Sequence, residues 1–585
     1  GNVFLDAYTL SGTRLWRIDL GRNIRAGAHY TQFMVYDLDC DGKAELACKT
    51  APNTRDSSGA FLSTGPAASD DDNADYRNTS GYILSGPEYL TVYNGQTGRE
   101  ITTVNYVPPR GTVSSWGDNY GNRVDRFLAC IAYLDGSKPS LVMCRGYYTR
   151  AVLAAWDFNG TSLTQRWVFD SNTAGNSAYA GQGNHNLSVG DVDNDGRDEI
   201  IYGACAIDDN GTGLYSTGLG HGDAGHLGDM DPNRVGLEWF QPHENYPLAA
   251  GAEYRDARTG ALLWGYPSTS DVGRGLAADI DANYRGWEMW ASNTDGVYNV
   301  NGTRISTTKP SINHRIYWDG DLQDELLDGT KLDKWNGNGV NRLVTIYNYE
   351  SATENNGTKA NPGLTADLLG DWREEMVYRS SDSTKLIIFT TTTMTNYRFY
   401  TFMHDHIYRL SVAWQNVAYN QPPHVSFYLA DGPSSQPPGN IVYPGAPAGS
   451  PTRTPTVTAT YTRTPTNTPL PSGYKEIQLE YPCSMDGIFE NTNAGYTGDG
   501  YANLNNATGS AITFSLMSVS AQSVNLTVRY ANGSTNNRNM SVSVNGGVQV
   551  SSVDFLNTGG WTTWNSVSFS VNLQAGYNTV TLTSL

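Results

Sequence analysis

The amino-acid sequence predicts an all-β protein with two folded regions, a β-propeller followed by a β-sandwich. Three observations support this prediction: the composition, a repeated strand–turn–strand pattern, and a Thr/Pro-rich tract between two regions. The 585 residues include 62 Gly, and Tyr outnumbers Phe by 37 to 15. This mixture suits short strands joined by tight turns, whereas long helices favour Ala, Leu, Glu and Lys.

The Thr/Pro-rich tract covers residues 450–473 and has no apolar periodicity, so it cannot form a core. Such tracts act as extended, semi-rigid spacers and are common in secreted proteins. We therefore predict a large domain over residues 1–449, a linker over 450–473 and a small domain over 474–585. A chain of this length is also too long for a single hydrophobic core.

The large region repeats one unit, an apolar strand, an acidic turn, a Glu and a second apolar strand. Between these copies lie short strands joined by Thr-Gly turns, and the whole pattern recurs at intervals typical of propeller blades. The small region contains alternating strands separated by Asn/Gly turns, which is typical of a β-sandwich. The clearest copies of the acidic unit are FMVYDLDCDGKAELACKT from Phe33, LSVGDVDNDGRDEIIYG from Leu187 and LAADIDANYRGWEMWAS from Leu276, with looser copies from Ile316 and Leu364.

Charge and hydropathy exclude two classes of partner. The formal net charge is −19, whereas a nucleic-acid-binding protein carries a basic surface. No stretch approaches the ~18–20 apolar residues that a membrane span needs. We expect neither a nucleic acid nor a membrane as partner.

The acidic turns are candidate calcium sites. Carboxylates at every second residue around a Gly turn converge on one centre, and oxygen ligands at that density suit calcium. Strands flank the turns, so an EF-hand is excluded; the alternative is a set of plain Asp-Gly turns. The predicted ligands are Asp37, Asp39, Asp41, Glu45 and the carbonyl of Lys43 in the first copy, Asp191, Asp193, Asp195, Glu199 and the carbonyl of Arg197 in the second, and Asp279 and Asp281 in the third.

A second candidate metal site consists of histidines in Gly-rich loops. Four histidines, His185, His221, His226 and His243, lie close together in the sequence, with Asp223 and Glu244 nearby. A mixed imidazole and carboxylate set could hold zinc, manganese or calcium. The alternative interpretation is that these loops only pack.

Longer strings resemble the rhamnogalacturonan lyases of polysaccharide lyase family 11 over nearly all of residues 1–445. The resemblance implies an eight-bladed β-propeller with many calcium ions and a cleft across one face. The family's N-terminal β-domain and its first acidic turn have no counterpart here, so we expect the first part of the propeller to be missing. The strings that carry the resemblance include NIRAGAHYTQFMVYDLD, GQGNHNLSVGDVDNDG, YSTGLGHGDAGH, DVGRGLAADID, NNGTKA, ADLLGDWREE and AWQNVAYNQPPH.

The C-terminal region resembles carbohydrate-binding modules of family 35, through GYTGDGYANL, RYANG, SVSVNG and TGGWTTWNSVSFSVNLQAGYNTVTLTS. The resemblance implies calcium near Glu476 and Glu480. It also implies sugar contacts at loops that carry Tyr496, Tyr501, Asn532 and Trp561, with uronic-acid or galactosyl units of the plant cell wall as ligands.

The lyase resemblance implies a secreted, calcium-dependent enzyme that cleaves rhamnogalacturonan I by β-elimination. Lys359 is then the candidate base, with its pKa lowered by Arg274 and calcium, Tyr419 the proton donor, and Arg274 alternatively a clamp on the substrate carboxylate. The resemblance further implies substrate contacts by Asn356, Gly357 and Thr358, and a metal site formed by His185, His221, Asp223 and Glu244.

The sequence leaves three alternatives to this interpretation. No long insertion precedes Arg274 in LLWGYPSTSDVGRG, which favours endo over exo cleavage, because exo-acting relatives close one end of the cleft with an extra loop. A non-catalytic adhesion propeller would use similar acidic turns. A hydrolase would need a pair of catalytic carboxylates, which the sequence does not locate.

Overall fold

The computed structural model describes residues 2–27, 29–357, 359–437, 484–496, 501–505, 507–518, 520–574 and 576–585. The chain divides into two compact units, Gly1–Ala448 and Gly449–Leu585, and each is described by itself. Three predicted features lie outside the described residues: the Thr/Pro-rich linker 450–473, the substrate contact Thr358, and the module residues Glu476 and Glu480.

The described part of the first unit contains eight antiparallel sheets that follow one another along the chain, the first with two strands and the others with four. The first sheet pairs β1 (Val3–Tyr8) with β2 (Arg14–Gly21). The next three are β3 (Phe33–Tyr36), β4 (Glu45–Thr50), β5 (Tyr89–Asn94) and β6 (Glu100–Asn105); β7 (Ala129–Ala132), β8 (Ser140–Arg145), β9 (Val152–Phe158) and β10 (Leu163–Asp170); and β11 (Ser188–Gly190), β12 (Glu199–Ile201), β13 (Cys205–Ile207) and β14 (Gly213–Ser216).

The remaining four sheets continue this order, and in the last one β29 pairs with each of the other three strands. They comprise β15 (His226–Gly228), β16 (Glu238–Pro242), β17 (Leu248–Asp256) and β18 (Leu262–Ser268); β19 (Gly275–Ala278), β20 (Glu288–Ala291), β21 (Val297–Tyr298) and β22 (Arg304–Ser306); β23 (His314–Ile316), β24 (Glu325–Asp328), β25 (Lys331–Trp335) and β26 (Val340–Thr345); and β27 (Ala352–Thr353), β28 (Leu364–Ala366), β29 (Glu375–Ser380) and β30 (Leu386–Phe389).

Helix α1 (His406–Trp414) lies among the first strands of several sheets. It contacts β3, β7, β11 and β28, and β7 also contacts both β3 and β11. The Asp405 side chain caps the helix by accepting the backbone N–H of Tyr408 at 2.9 Å. Short 3-10 helices cover Gly65–Ser69, Val113–Trp116, Ser177–Tyr179, Ile346–Asn348, Phe402–His404, Leu429–Asp431 and Pro433–Ser435.

The prediction of an all-β protein is confirmed, and burial explains the sequence pattern behind it. Every residue of β4, β7 and β8 is buried, because these inner strands have neighbours on both faces. They therefore show continuous apolar runs instead of strict alternation. The outlying strand β1 alternates half-buried and exposed positions, as expected for a strand with one covered face.

In six sheets a glutamate opens the strand that follows an acidic turn, which is the second strand of five sheets and the third strand, β29, of the last one. In each case its Oε2 atom accepts a backbone N–H from seven or eight residues earlier, at 2.8–3.0 Å. The repeated Glu therefore anchors each acidic turn to the strand that follows it. These six residues are Glu45, Glu199, Glu238, Glu288, Glu325 and Glu375.

Burial raises the pKa of several of these glutamates. The pKa of Glu45 rises to about 7, that of Glu199 to about 8 and that of Glu238 to about 7. One accepted backbone N–H at Glu45, and two at Glu199 and Glu238, do not offset the loss of water together with the nearby Asp charges. These turns therefore concentrate negative charge that calls for a positive partner.

The second unit has one core shared by a five-stranded sheet and two strand pairs. The sheet has the order β31-β34-β39-β36-β37, and the pairs are β32–β33 and β35–β38. Val542, Val580 and Leu582 pack with Val571 of β38 in this core. The strands are β31 (Ser484–Met485), β32 (Gly487–Glu490), β33 (Tyr501–Leu504), β34 (Ala511–Ser518), β35 (Gln522–Tyr530), β36 (Arg538–Val544), β37 (Gly547–Phe555), β38 (Asn565–Leu573) and β39 (Gly576–Ser584).

Glu88 forms a buried ion cluster between the second and third sheets. Its carboxylate lies 2.7 Å from Arg145, 2.8 Å from Arg110 and 3.1 Å from Lys49. Burial alone would raise the pKa of Glu88, but the three cations outweigh burial and hold this pKa well below its usual range.

No helix among the described residues is long and apolar enough to cross a membrane.

We expect Glu88→Gln to lower the free energy of unfolding by about 3–5 kcal/mol, because three buried cations lose their counter-charge. Urea unfolding followed by tryptophan fluorescence measures this change. The control is Glu350→Gln, which removes an exposed pair with Lys385 and should change stability by less than about 1 kcal/mol. Equal effects of the two substitutions would contradict the prediction.

Candidate active site

Residues just before the first strand of several sheets meet at one end of those strands. His29 precedes β3, Arg126 precedes β7, His185 precedes β11, Asp223 precedes β15 and Arg274 precedes β19. Because these first strands occupy equivalent positions in their sheets, the residues that precede them reach a common region. Lys359, which precedes β28, and Tyr419, which follows α1, join them there.

The four predicted ligands of the histidine site are together. One donor atom each from His185, His221, Asp223 and Glu244 lies within 4.8 Å of the others. Asp223 Oδ1 is 3.2 Å from His185 Nε2, and Glu244 Oε1 is 3.5 Å from His221 Nε2. The sequence separated these residues into three loops, and the fold unites them.

The chemistry of this donor set fits a divalent cation. His221 Nδ1 donates to the Gly183 carbonyl at 2.6 Å, so Nε2 presents its lone pair toward Glu244. Both His221 Nε2 and Asp223 Oδ1 are buried without a hydrogen-bond partner. A cation bound between facing lone pairs of this kind would remove their mutual repulsion. Two imidazoles with two carboxylates suit calcium, zinc or manganese.

Burial affects the protonation of this cluster. It lowers the pKa of His185 well below the usual range, with His221 and His29 adding to the effect. Burial also raises the pKa of Asp223, against the opposing charge of Lys359. Neutral imidazole is the form in which histidine binds a metal.

Lys359, Tyr419 and Arg274 surround Asp223. The Lys359 ammonium lies 2.5 Å from Asp223 Oδ2 and 4.2 Å from the centre of the Tyr419 ring. That ring stacks on His185 at 4.1 Å. Arg274 is buried, its Nη2 donates to the Asn313 carbonyl at 2.8 Å, and its Nε and Nη1 have no hydrogen-bond partner. Burial lowers the pKa of Arg274 to about 10, although Asp223 and Tyr419 oppose this.

The loop with the predicted substrate contacts is more open. Asn356 is half-buried and Gly357 is exposed. The Asn356 carbonyl accepts the backbone N–H of Lys359 at 3.1 Å, so the loop turns tightly before the lysine. Both residues are therefore close in the chain to the candidate base and accessible from solvent.

Sequence analysis missed four residues of this site. The Tyr147 hydroxyl lies 3.0 Å from His185 Nδ1, and the Tyr148 hydroxyl lies 2.8 Å from His185 Nε2. The His29 ring lies 4.5 Å from Tyr419, and Arg126 lies beside the Tyr148 ring. The signal in the sequence that could have identified these four residues is their position directly before or after an inner strand of a sheet.

The predicted acidic turns gather their carboxylates to different extents. In the first turn Asp37, Asp39 and Asp41 have oxygens within 4.8 Å of one another, and in the second Asp191, Asp193 and Glu199 do. Asp195 and Arg197 instead bond to each other, with the Arg197 N–H donating to Asp195 Oδ1 at 2.9 Å. Lys43 likewise donates its N–H to Asp41 at 2.8 Å.

The third turn contains buried carboxylate oxygens without partners. Both oxygens of Asp279 and one oxygen of Glu288 have no hydrogen-bond partner, and the same holds for Oδ1 of Asp324 from the next sheet. Asp281 accepts from the Trp335 indole at 3.2 Å. Burial and Asp324 together raise the pKa of Asp279. These unsatisfied oxygens also fit a cation.

A lysine occupies the corresponding turn before β24. The Lys334 ammonium lies 2.6 Å from Asp321 Oδ1 and 3.2 Å from Asp319 Oδ2, and it contacts Glu325 Oε1. It also lies 3.3 Å from the Gln323 carbonyl. Counted back from the glutamate, these positions match Asp39, Asp41, Lys43 and Glu45 of the first turn. The ammonium therefore takes the place where a cation would bind.

The described sugar-site candidates of the module form two groups. The Tyr501 hydroxyl donates to Glu490 at 3.0 Å, and its ring lies near those of Tyr496 and Trp564. Asn532 is buried and donates to the carbonyl of Phe555. Trp561 is 47% exposed, so it offers an apolar ring face to a sugar.

Comparison with known proteins identifies the family. The model described as "Rhamnogalacturonan lyase family 11, C-terminal domain" matches residues 1–438. Rhamnogalacturonan endolyase YesW of Bacillus subtilis is 57% identical over 446 residues, 76% of this chain and 70% of the relative. Its crystal structure covers 76% of this chain and 75% of its own, with a TM-score of 0.73.

Rhamnogalacturonan exolyase YesX of the same organism is 58% identical over 460 residues, 76% of this chain and 74% of the relative. The fold is that of solved polysaccharide lyases. The chain belongs to rhamnogalacturonan lyase family 11.

The C-terminal region is a carbohydrate-binding module. The model described as "Carbohydrate binding module (family 6)" matches residues 478–585. A solved family 35 module from Clostridium thermocellum is 43% identical and covers 17% of this chain and 77% of its own, with a TM-score of 0.17. The predicted resemblance to family 11 lyases is confirmed, and the family model over residues 478–585 supports the predicted carbohydrate-binding module.

We expect Lys334→Met to destabilise the protein in the presence of a chelator by about 3–5 kcal/mol, because three carboxylates lose their cation. Calcium should restore part of this loss, so that thermal melting of the variant responds more strongly to calcium than that of the wild type. Lys331→Met, at an exposed position of the same strand, is the control. An identical calcium response of wild type and Lys334→Met would contradict the prediction.

Proposed function

We propose that this chain is a calcium-dependent lyase that cleaves the rhamnose-(1→4)-galacturonate bond of rhamnogalacturonan I by β-elimination, with endo action. The supporting observation is the convergence of Lys359, Arg274 and Tyr419 on Asp223 of the four-ligand cluster. A base, a cation for the carboxylate and a proton donor are the groups that this reaction needs.

The reaction moves one proton and one electron pair. Lys359 acts as the neutral amine, and its Nζ lone pair takes the proton from C5 of the galacturonate. The C5–H electrons form the C4=C5 double bond, and the bond from C4 to the leaving oxygen breaks. Tyr419 donates its phenolic proton to that oxygen. Burial, with Asp223 and Tyr148, raises the pKa of Tyr419, which keeps this proton available at neutral pH.

Arg274 positions the reacting sugar through its carboxylate. Its free N–H groups offer charge-assisted hydrogen bonds to an anion. Neutralising the carboxylate lowers the cost of the second negative charge that develops when C5 loses its proton. Calcium held by His185, His221, Asp223 and Glu244 would add positive charge to the same end of the substrate.

Endo action is supported by the short connection between β18 and β19. Residues 269–274 join these strands, so the segment before Arg274 contributes no long loop that could close one end of the cleft. The alternative is an exo-acting lyase, since an endolyase and an exolyase match the chain at similar identity. A non-catalytic adhesion propeller is disfavoured by the family.

We also propose an eight-bladed-type propeller. Eight consecutive sheets among the described residues support this arrangement, as do the contacts of α1 with the first strands β3, β7 and β11. The acidic turns would hold further calcium ions, and their ligand sets support this.

The enzyme is proposed to be secreted and to act on the plant cell wall, with the module holding it on pectic polysaccharide. A polymeric substrate and a carbohydrate-binding module support an extracellular site of action. The exposed Trp561 ring supports sugar contact by the module.

Digestion of rhamnogalacturonan I should yield a product with the ultraviolet absorbance of an unsaturated uronate, and viscosity should fall early in the reaction. A chelator should abolish both changes, and added calcium should restore them. Hydrolysis without the ultraviolet signal would refute the lyase, whereas release of disaccharide alone would refute endo cleavage.

Lys359→Ala should lower kcat by about 100- to 10,000-fold, because it removes the general base. Steady-state kinetics on rhamnogalacturonan I measure this loss. Lys385→Ala, which removes an exposed lysine paired with Glu350, should retain wild-type kcat. Near-normal kcat in Lys359→Ala would assign the base to another residue.

A further inference from the structure

Two buried arginines of the first unit differ from the other buried arginines described there. Arg126 and Arg274 are only 8% and 5% exposed, and neither has a carboxylate within ion-pair distance among the described residues. The other buried arginines are each paired with an acid: Arg110 and Arg145 with Glu88, Arg255 with Glu253, Arg315 with Glu374, and Arg373 with Asp371.

An unpaired buried guanidinium destabilises a protein unless a ligand supplies its counter-charge and hydrogen-bond acceptors. The Nη2 atom of Arg126 donates to the Asn122 side chain at 2.9 Å, and Nε and Nη1 have no hydrogen-bond partner. The side chain lies 5.5 Å from the Tyr30 ring and 5.6 Å from the Tyr148 ring. In a chain with a net charge of −19, the absence of a carboxylate partner at this position points to an anion supplied from outside.

Arg126 belongs to the candidate active site. It lies 5.6 Å from the Tyr148 ring, whose hydroxyl is 2.8 Å from His185 Nε2. Arg126 precedes β7 and Arg274 precedes β19, whereas the metal ligands His185 and Asp223 precede the sheets between them. In the order of the sheets, the two arginines therefore flank the metal cluster.

We propose that Arg126 binds the carboxylate of a second galacturonate on the same substrate chain, while Arg274 binds that of the galacturonate that reacts. Rhamnogalacturonan I carries a carboxylate on every second sugar, so a chain that crosses the cluster presents charges on both sides of the cleavage point. This inference rests on the proposed function and adds a subsite for substrate recognition.

Arg126→Met tests the subsite in the full chain. We expect KM for rhamnogalacturonan I to rise on the order of 10- to 100-fold, the loss of one or more charge-assisted hydrogen bonds, with kcat within about twofold of wild type. The wild-type KM should also rise more steeply with salt than that of the variant, since salt screens the ion pair. Without substrate, the variant should melt no lower than the wild type, because the unpaired charge is gone.

Arg150→Met is the matched control, since Arg150 lies near β9 and its charge is already paired with Asp170 at 2.5 Å. Its KM and salt dependence should match the wild type. Should Arg126→Met fold poorly, Arg126→Gln, which removes the charge but keeps a polar group, takes its place with the same expectations.

An unchanged KM in the charge-free variant would overturn the proposal, as would a loss confined to kcat. These outcomes leave wild-type cleavage intact. Failure of the proposed function would differ, because wild-type protein would then form no unsaturated product from rhamnogalacturonan I.

Discussion

The structure depends on a glutamate that opens the strand after an acidic turn and accepts the backbone N–H groups of that turn. An acidic turn exposes amide donors and brings carboxylates together, so it is both polar and electrostatically strained. The glutamate satisfies the donors, but its own burial adds to the negative charge, as the raised pKa of Glu45 and Glu199 indicates. A cation is the remaining requirement, and Lys334 meets it from within the chain in one turn.

The same construction separates stability from catalysis. The acidic turn follows the first strand of a sheet, and the site residue precedes it. A strand of three or four residues spans about 10–13 Å, so turn and site lie at opposite ends. The turns can thus fix the geometry of the first strands without contributing groups to the reaction. Adjacent sheets are joined at the turn end as well, since Asp324 accepts the N–H of Asp279 at 2.9 Å.

The sequence predicted features whose parts are adjacent in the chain. Asp37, Asp39 and Asp41 recur at a spacing of two, and the fold preserves that local geometry. Lys334 escaped prediction because it reaches its turn from the neighbouring strand β25. His29 and Arg126 escaped because a single His or Arg in a loop carries no pattern. The resemblance to known lyases supplied the union of His185, His221, Asp223 and Glu244, which spacing alone does not imply.

The distribution of paired and unpaired charges distinguishes the framework from the site. Within the framework, Glu88 and Glu374 each neutralise buried arginines directly, so these charges are satisfied when the protein is folded. At the site, Asp223 Oδ1 and the guanidinium groups of Arg126 and Arg274 retain unsatisfied atoms. Burial of such groups costs free energy in the unliganded protein, and ligands that bring the opposite charge recover it. Under the proposed function, a polyanionic substrate bound with a divalent cation would supply both signs, the cation for the carboxylate cluster and the uronates for the arginines. Under the proposed function, the acidic protein binds an acidic polymer through the buried charges of Arg126 and Arg274, which have no carboxylate partner among the described residues.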